Sequence, residues 1–280
     1  MPVTLLDGPM GTQLNAHGLE TPPPLWSAAA LRSHPALVAS LHRAYAAAGA
    51  QVHTANTFRT RRRSAGTEWH ALAEKAVRIA RASLPPSSTL AGSIAPLEDC
   101  YRPDLSPPES RAEHAELAQA LAALGCDLLL CETFPHIGEG LAAVEAAVDT
   151  GLPVWAAFTA GYRADLLIPE ELARAARLAE ERGAVAVLVN CVPASQTLRY
   201  VRALADSGVQ VPFGAYANAG HPTEGLGWAR TDDGPERYAE LAAEWVDAGA
   251  TLIGSCCGTG PETIAALARR LRSGVAQLPL

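Results

Sequence analysis

Short apolar segments alternate with longer segments rich in Ala, Leu, Glu and Arg, and this alternation restricts the possible folds more than any other feature. Short apolar and β-branched runs predict strands, and the helical spacing of the longer segments predicts helices. The predicted strands are 4–7, 51–57, 89–94, 127–132, 154–159, 184–191, 212–216 and 251–255. The predicted helices are 34–49, 67–83, 109–125, 138–150, 169–182, 194–207, 235–248 and 261–273.

The eight strand-helix units favour a closed barrel. Eight parallel units with short turns fit a barrel better than an open doubly wound sheet, and no G-x-G-x-x-G fingerprint follows the first strand. A glycine that can end a helix in the left-handed conformation follows many of the helices. These glycines are Gly49, Gly125, Gly151, Gly183, Gly208 and Gly249. We therefore predict an α/β protein whose residues 1–280 form a single-domain (β/α)8 TIM barrel.

Composition and charge argue against several kinds of partner. With 49% hydrophobic and 18% charged residues, the chain has enough apolar material for a large core. A formal net charge of -7 without a basic tail argues against nucleic acid binding. No apolar run approaches the roughly 18 residues of a membrane helix, and the first residues do not resemble a secretion signal. We expect a cytoplasmic protein without a membrane span, and no obligate protein partner is evident.

Cysteines lie at the carboxyl ends of two predicted strands. Cys191 ends the sixth strand, and Cys256 and Cys257 follow the eighth. In a barrel these ends converge on one mouth, where active sites lie. Three thiolates with an open fourth position suit Zn2+, and a substrate thiol in that position would be held as a thiolate. The alternatives are buried apolar cysteines or a strained disulfide of the adjacent pair.

Carboxylates and other polar groups also lie at strand ends. Asp7 and Glu132 need a partner if they are buried, and a substrate ammonium group would serve. The alternative is a hydrogen-bonded carboxylate that ties loops together. An amino acid bearing a thiol fits this set of groups. The other residues that we assign to substrate binding are Gly8, Asn56, Thr57, Tyr216 and Asn218.

Other reactive side chains receive structural interpretations. Cys100, Cys126 and Cys131 are interpreted as structural, and residues 59–63, with four arginines, as a solvated loop rather than an anion site. His53 is placed early in the second strand, away from the mouth, whereas His221 could reach the site. The histidines expected in surface or satisfied positions are His17, His34, His42, His70, His114 and His136.

Six motifs together resemble the homocysteine S-methyltransferase family. The motifs are DGPMGTQL from Asp7, ANTF from Ala55, CETF from Cys131, NC at Asn190-Cys191, YANAG from Tyr216 and GSCCGTGPETI from Gly254. They span the whole chain in family order. The resemblance implies a (β/α)8 fold, zinc held by Cys191, Cys256 and Cys257, and homocysteine as the methyl acceptor. It also implies that Asp7 and Glu132 hold the amino group of the substrate, which is converted to methionine.

The methyl donor is inferred mainly from what the chain lacks. No cobalamin- or folate-binding module and no extra dimerisation segment of the betaine-dependent members is recognised, so we expect S-methylmethionine or S-adenosylmethionine. Aromatic rings could face such a sulfonium by cation-π contact or could simply pack. These rings are Phe58, Tyr101, Tyr162, Tyr216 and Trp228.

Other functions stay open at this point. One is a non-catalytic, ligand-binding paralogue, and another is a methyltransferase that uses a different thiol or selenol, or a cobalamin or folate partner as donor. A barrel aldolase or phosphate enzyme could use residues 258–260 as an anion site. It would lack an obvious Schiff-base lysine, because Lys75 is the only lysine in the chain and lies on the second predicted helix.

Overall fold

A computed structural model describes residues 2–219 and 234–272 and contains eight parallel strands surrounded by helices. The strands are β1 Thr4–Leu5, β2 Val52–Thr54, β3 Thr89–Ile94, β4 Leu128–Phe134, β5 Val154–Phe158, β6 Ala186–Pro193, β7 Phe213–Asn218 and β8 Leu252–Ser255. The α-helices are α1 Met10–Ala16, α2 Ala30–Ser33, α3 Pro35–Ala48, α4 Arg62–Ala65, α5 Trp69–Ser83, α6 Arg111–Ala123, α7 Ile137–Val148, α8 Pro169–Glu181, α9 Ala194–Asp206, α10 Gly234–Asp247 and α11 Pro261–Arg272.

The strands close into a barrel in sequence order. Seven ladders connect the strands in the order β1-β8-β7-β6-β5-β4-β3-β2, and every pair is parallel. The remaining seam, between β1 and β2, is closed by a parallel bridge from Leu6 to Val52. The Gln51 N–H donates to the Leu5 carbonyl across the same seam at 2.8 Å. The predicted (β/α)8 barrel is therefore confirmed.

Side-chain alternation along the strands produces two apolar layers. Leu6, Leu130 and Leu188 fill the barrel lumen, whereas Leu5 and Trp245 belong to the larger core between the sheet and the helices. Leu5 and Leu6 are neighbours in the chain but belong to different layers, because successive strand residues point to opposite faces. Both layers are buried, and this leaves the rim as the place for polar side chains.

Several predicted boundaries change in the structure. All six glycines predicted to end helices have positive φ, between 81° and 111°. β1 and β2 are shorter than predicted, so residues 55–57 lie in the connection after β2. β4 and β6 run beyond their predicted ends at Glu132 and Cys191, because an irregularity in the strand pairing lets each continue to Phe134 and Pro193. The short helices α1, α2 and α4 lie in connections where no helix was predicted.

No helix within residues 2–219 and 234–272 is both long enough and apolar enough to cross a membrane. The longest, α5, has 15 residues and alternates buried with exposed positions.

Replacing Gly214 by Ala tests the tight contact between β7 and β8. A Cβ at Gly214 would overlap the carbonyl oxygen of Leu252, its partner in the ladder, so the strands would have to separate. We expect the free energy of unfolding to fall by about 3 kcal/mol, at the upper end of overpacking costs. Urea unfolding measures this change. Gly11→Ala is the control, because the nearest non-local atom would be 3.9 Å away; an equal loss in both variants would contradict the account.

Candidate metal and substrate site

Three cysteine thiols meet at the mouth of the barrel. Cys191 lies in β6 and is buried, whereas Cys256 and Cys257 directly follow β8 and are half-buried. All three Sγ atoms lie within 4.8 Å of one another. The Sγ atom of Cys256 is 2.7 Å from that of Cys191 and 4.0 Å from that of Cys257. Sulfur ligands at 2.3 Å from a tetrahedral zinc ion are about 3.8 Å apart. The distance between Cys256 and Cys257 is close to this value, whereas Cys191 and Cys256 would have to separate by about 1 Å around such a metal.

An unusual backbone conformation brings Cys191 to the cluster. Its φ of 52° is in the left-handed region, and the pairing of β6 with β7 is irregular between Asn190 and Pro193. Thr133, at the corresponding irregularity of β4, has a φ of 63°. The Asn190 side-chain amide donates to the Thr133 hydroxyl at 2.6 Å and connects the two distortions. Bulges of this kind redirect a side chain, and left-handed non-glycine residues persist only where the surrounding structure holds them.

The Tyr238 hydroxyl supports the backbone beside Cys256. It accepts from the Ala217 N–H at 2.8 Å and lies 3.1 Å from the Ala217 carbonyl and 2.8 Å from the Gly254 carbonyl, either of which can take its proton. The Cys256 N–H donates to the same Ala217 carbonyl at 2.7 Å. These bonds join β7, α10 and the end of β8. They therefore fix the position of the adjacent cysteines.

The three thiols of the cluster differ in acidity. Hydrogen bonds from Cys191 and Cys256 hold the pKa of the Cys257 thiol well below its usual range. The same contacts raise the pKa of Cys191, with the hydrogen bond to Cys256 as the largest cause. Cys257 is thus the most acidic thiol of the cluster. In contrast, burial raises the pKa of Cys100 and Cys126 to about 12, so these two thiols are protonated.

Two buried carboxylates lie at the same rim. Asp7 Oδ2 accepts from the Thr54 N–H at 2.9 Å, and burial raises the Asp7 pKa to about 8. Glu132 accepts from the Ser93 hydroxyl and, at 3.0 Å, from the Tyr216 hydroxyl, and burial raises its pKa as well. Neither has a lysine or arginine partner within the residues that the structure describes. The mouth can therefore accept a cationic group.

The remaining predicted substrate residues fall into two groups. The Asn218 side-chain amide is fully buried, and neither its nitrogen nor its oxygen has a partner in the described residues. Gly8 has no room for a side chain, because a Cβ would lie 2.7 Å from the Tyr45 ring. Asn56 exchanges two hydrogen bonds with Ser27, and the Thr57 hydroxyl bonds to the Ser93 backbone, so these side chains hold loops together. Their contribution to substrate binding stays a prediction.

The interpretation of 59–63 as a solvated loop is wrong for two of its four arginines. Arg59 and Arg61 are buried, because their guanidinium groups donate to carbonyls of the connection after β3, at Glu98 and Leu97 respectively. Arg62 and Arg63 are exposed and pair with acidic residues of α6. Sequence composition alone does not reveal this division, since it follows from the direction of each side chain.

Glu139 secures the connection after β3 over the cysteine cluster. It accepts from the Leu97 N–H at 2.7 Å and from the Ser106 hydroxyl at 2.6 Å, and His114 Nε2 lies 3.3 Å away. Tyr101, within this connection, has its pKa raised by burial and by the nearby cysteines. Its ring packs edge-on against Tyr162 with centroids 5.1 Å apart. No sequence signal identified Glu139, because its role appears only when α7 is placed beside the connection.

One histidine prediction is wrong. His42 is fully buried without a hydrogen bond within the described residues, although a surface or satisfied position was expected. His53 was predicted away from the mouth, and it points to the helix-facing side of β2 with its Nδ1 3.9 Å from Asp7 Oδ2. His221 and Trp228 lie outside the described residues.

Comparisons with known proteins agree with this architecture. A sequence model of the family described as homocysteine S-methyltransferase matches residues 4–271. The homocysteine S-methyltransferase of Escherichia coli K12 is 33% identical over 299 residues, covering 96% of this chain and 95% of the relative. Homocysteine S-methyltransferase 4 of Zea mays is 30% identical over 310 residues, covering 96% and 89%.

A solved structure extends the similarity to three dimensions. The metallated form of the homocysteine methyltransferase MmuM from Escherichia coli matches with a TM-score of 0.81 and 28% identity, covering 96% of both chains. The barrel and its thiol cluster thus define an enzyme of the methyltransferase class. The chain belongs to the homocysteine S-methyltransferase family, which confirms the resemblance, and its cysteine cluster indicates a metal site.

Tyr238→Phe tests the support of the cluster by α10. Removal of the hydroxyl leaves buried backbone groups of Ala217 and Gly254 without this partner, so we expect a loss of about 1–3 kcal/mol in the free energy of unfolding. Tyr162→Phe is the matched control, because that tyrosine is only half-buried. Thermal and urea unfolding measure both variants. Unchanged stability of the Tyr238 variant would show that the hydroxyl does not support this region.

Proposed function

We propose that this enzyme transfers a methyl group from a small sulfonium donor to the thiol of homocysteine, giving methionine. The observation that carries the proposal is the placement of three cysteine Sγ atoms and two buried carboxylates on one rim of the barrel. The first set suits a metal that binds a thiol, and the second suits an ammonium group. Homocysteine carries both groups on one short chain.

The cysteine cluster would hold a zinc ion. Three sulfur ligands favour zinc over magnesium or calcium, which prefer oxygen. A bound zinc ion lowers the pKa of a coordinated thiol and so supplies a thiolate nucleophile at neutral pH. The strained Cys191 backbone and the Tyr238 hydrogen bonds hold the backbone of the cysteines in place. The existence of a metallated form of the similar enzyme MmuM supports a bound metal.

Asp7 and Glu132 would bind the substrate ammonium group. The charges of the two carboxylates repel each other, and Glu132 raises the pKa of Asp7. A cation between them favours the ionised form of both groups, so binding of the ammonium group is coupled to ionisation of Asp7. The buried Asn218 amide at the end of β7 has no partner within the described residues and would receive a further polar group of the substrate.

The electrostatics of the mouth favour a cationic methyl donor. Thiolate and carboxylate groups face it, while the buried guanidinium groups of Arg59 and Arg61 are engaged with carbonyls. Tyr101 and Tyr162 offer aromatic surface to a sulfonium. In the reaction a bond forms between the acceptor sulfur and the methyl carbon while the donor sulfur–methyl bond breaks. The sulfonium leaves as a neutral thioether, and the acceptor thiol proton passes to solvent.

A selenol acceptor is a second candidate. Selenocysteine Se-methyltransferase of Brassica oleracea is 26% identical to this chain over 312 residues, covering 96% of the chain. A selenolate would occupy the same position as the thiolate.

The free thiols of the cluster also fit a reducing compartment, which supports a cytoplasmic location.

Cys257→Ala should remove the metal. Two thiols remain in the variant, and a site with two sulfur ligands is too weak to retain zinc through purification. Elemental analysis of the wild type should show about one zinc per chain and of the variant close to none. Cys126→Ala is the matched control, since this buried cysteine lies outside the cluster and should leave the zinc content unchanged. Full zinc in the Cys257 variant would refute the ligand set.

Turnover with defined donors tests the reaction itself. Incubation of the zinc-loaded chain with homocysteine and either S-methylmethionine or S-adenosylmethionine should form methionine, detected by mass spectrometry. A deuterated donor methyl group should appear intact in the product. Selenocysteine is the competing acceptor in parallel reactions. Absence of a methylated product with every combination would refute the proposed function and favour a ligand-binding protein.

A further inference from the structure

His53 is a buried histidine beside Asp7, and neither the fold nor the proposed reaction gives it a role. Its ring is fully buried, and its Nδ1 atom is 3.9 Å from Asp7 Oδ2. Val52 precedes it and points into the barrel lumen, so His53 points to the opposite face of β2, toward the layer of helices. The ring edge that carries Nδ1 therefore lies behind the carboxylate, away from the mouth.

The imidazole has an unmet hydrogen-bonding requirement. Neither nitrogen of His53 has a partner at normal hydrogen-bond geometry within the described residues, although the Ala50 backbone is close enough to interact with the ring. A neutral imidazole always carries one N–H. Buried donors are almost always satisfied. A shift of about 1 Å would shorten the distance between Nδ1 and Asp7 Oδ2 to that of a hydrogen bond. The acceptor is also one of the two carboxylates proposed to bind the substrate.

We infer that His53 is a positioning residue that donates its Nδ1 proton to Asp7 when this carboxyl group is ionised and orients it toward the substrate ammonium group. The inference rests on the proposed role of Asp7 in substrate binding. His53 does not touch the substrate. It acts through the carboxylate, on the side opposite the ligand.

The charges around Asp7 explain why such a donor is needed. Burial, with a smaller contribution from Glu132 on β4, raises the Asp7 pKa to about 8, so without a substrate the carboxyl group is largely protonated at pH 7. Burial lowers the pKa of His53 to about 4, and His42 on α3, which faces it, has a pKa of about 3. Both rings are neutral. His53 thus supplies a hydrogen bond without a charge that would compete with the substrate ammonium.

The affinity for an amino thiol should increase as the pH rises toward 8, because only ionised Asp7 attracts the ammonium group. Loss of the His53 N–H would raise the pKa of Asp7, and a rise of one unit weakens binding about tenfold at pH 7. At pH 8.5 the same change weakens binding only about threefold, because more of the carboxyl group is already ionised.

Calorimetric binding to the zinc-loaded full chain tests this inference with two thiols. Homocysteine carries the amino group, and 4-mercaptobutanoate is the same molecule without it. We expect His53→Leu to weaken homocysteine binding about tenfold at pH 7 and about threefold at pH 8.5, with unchanged affinity for 4-mercaptobutanoate. His53→Asn retains an N–H donor and should bind within about twofold of the wild type. His42→Leu is the matched control, because it removes the neighbouring buried imidazole that has no contact with Asp7.

The outcomes separate this inference from the proposed function. Equal weakening of both thiols by His53→Leu, or no change in either, would overturn the role of His53. His53→Met, of similar volume and also without a donor, gives the same comparison if the Leu variant does not fold. Equal affinity of the wild type for the two thiols would overturn the role of Asp7 together with that of His53. Absence of methionine formation would refute only the proposed reaction, since the binding comparison does not require turnover.

Discussion

Closure of the barrel between β1 and β2 is the constraint on which the site depends. β1 is only two residues long, and the seam is held by a single bridge with a few hydrogen bonds. Asp7 is part of this seam: its N–H donates to the Val52 carbonyl at 2.9 Å, and its carboxylate accepts from the Thr54 N–H. The residue that closes the barrel therefore also presents the carboxylate at the mouth. Parallel closure then brings the ends of β6 and β8 to the same rim.

The site also requires that the three thiols point toward one another, and local backbone strain provides this orientation. A regular β6 would alternate its side chains between the lumen and the helices. This alternation alone would not direct the Cys191 thiol toward Cys256. The left-handed backbone at Cys191, joined through Asn190 to the similar backbone at Thr133, redirects the thiol to the rim. Such distortions cost roughly 1–3 kcal/mol each, and the extensive buried core of the barrel offsets them. The protein thus places strain where the proposed chemistry needs a fixed geometry.

Sequence patterns predicted the architecture and the identity of the clustered cysteines. Strand periodicity located all eight strands, and the convergence of parallel strand ends brought Cys191 together with the Cys256-Cys257 pair. The patterns could not predict the bulges that extend β4 and β6, because these depend on pairing between distant segments. They also could not separate buried Arg61 from exposed Arg62, or place His53 beside Asp7, since both depend on side-chain direction in the folded chain.

The central claim is that the three cysteines hold a metal whose open position receives the substrate thiol. Zinc K-edge X-ray absorption spectroscopy of the zinc-loaded chain, recorded without and then with homocysteine, tests it most directly. The account predicts three sulfur neighbours at about 2.3 Å in the free protein and four after homocysteine is added. A zinc shell of nitrogen and oxygen alone, or a sulfur number that homocysteine leaves unchanged, would contradict it.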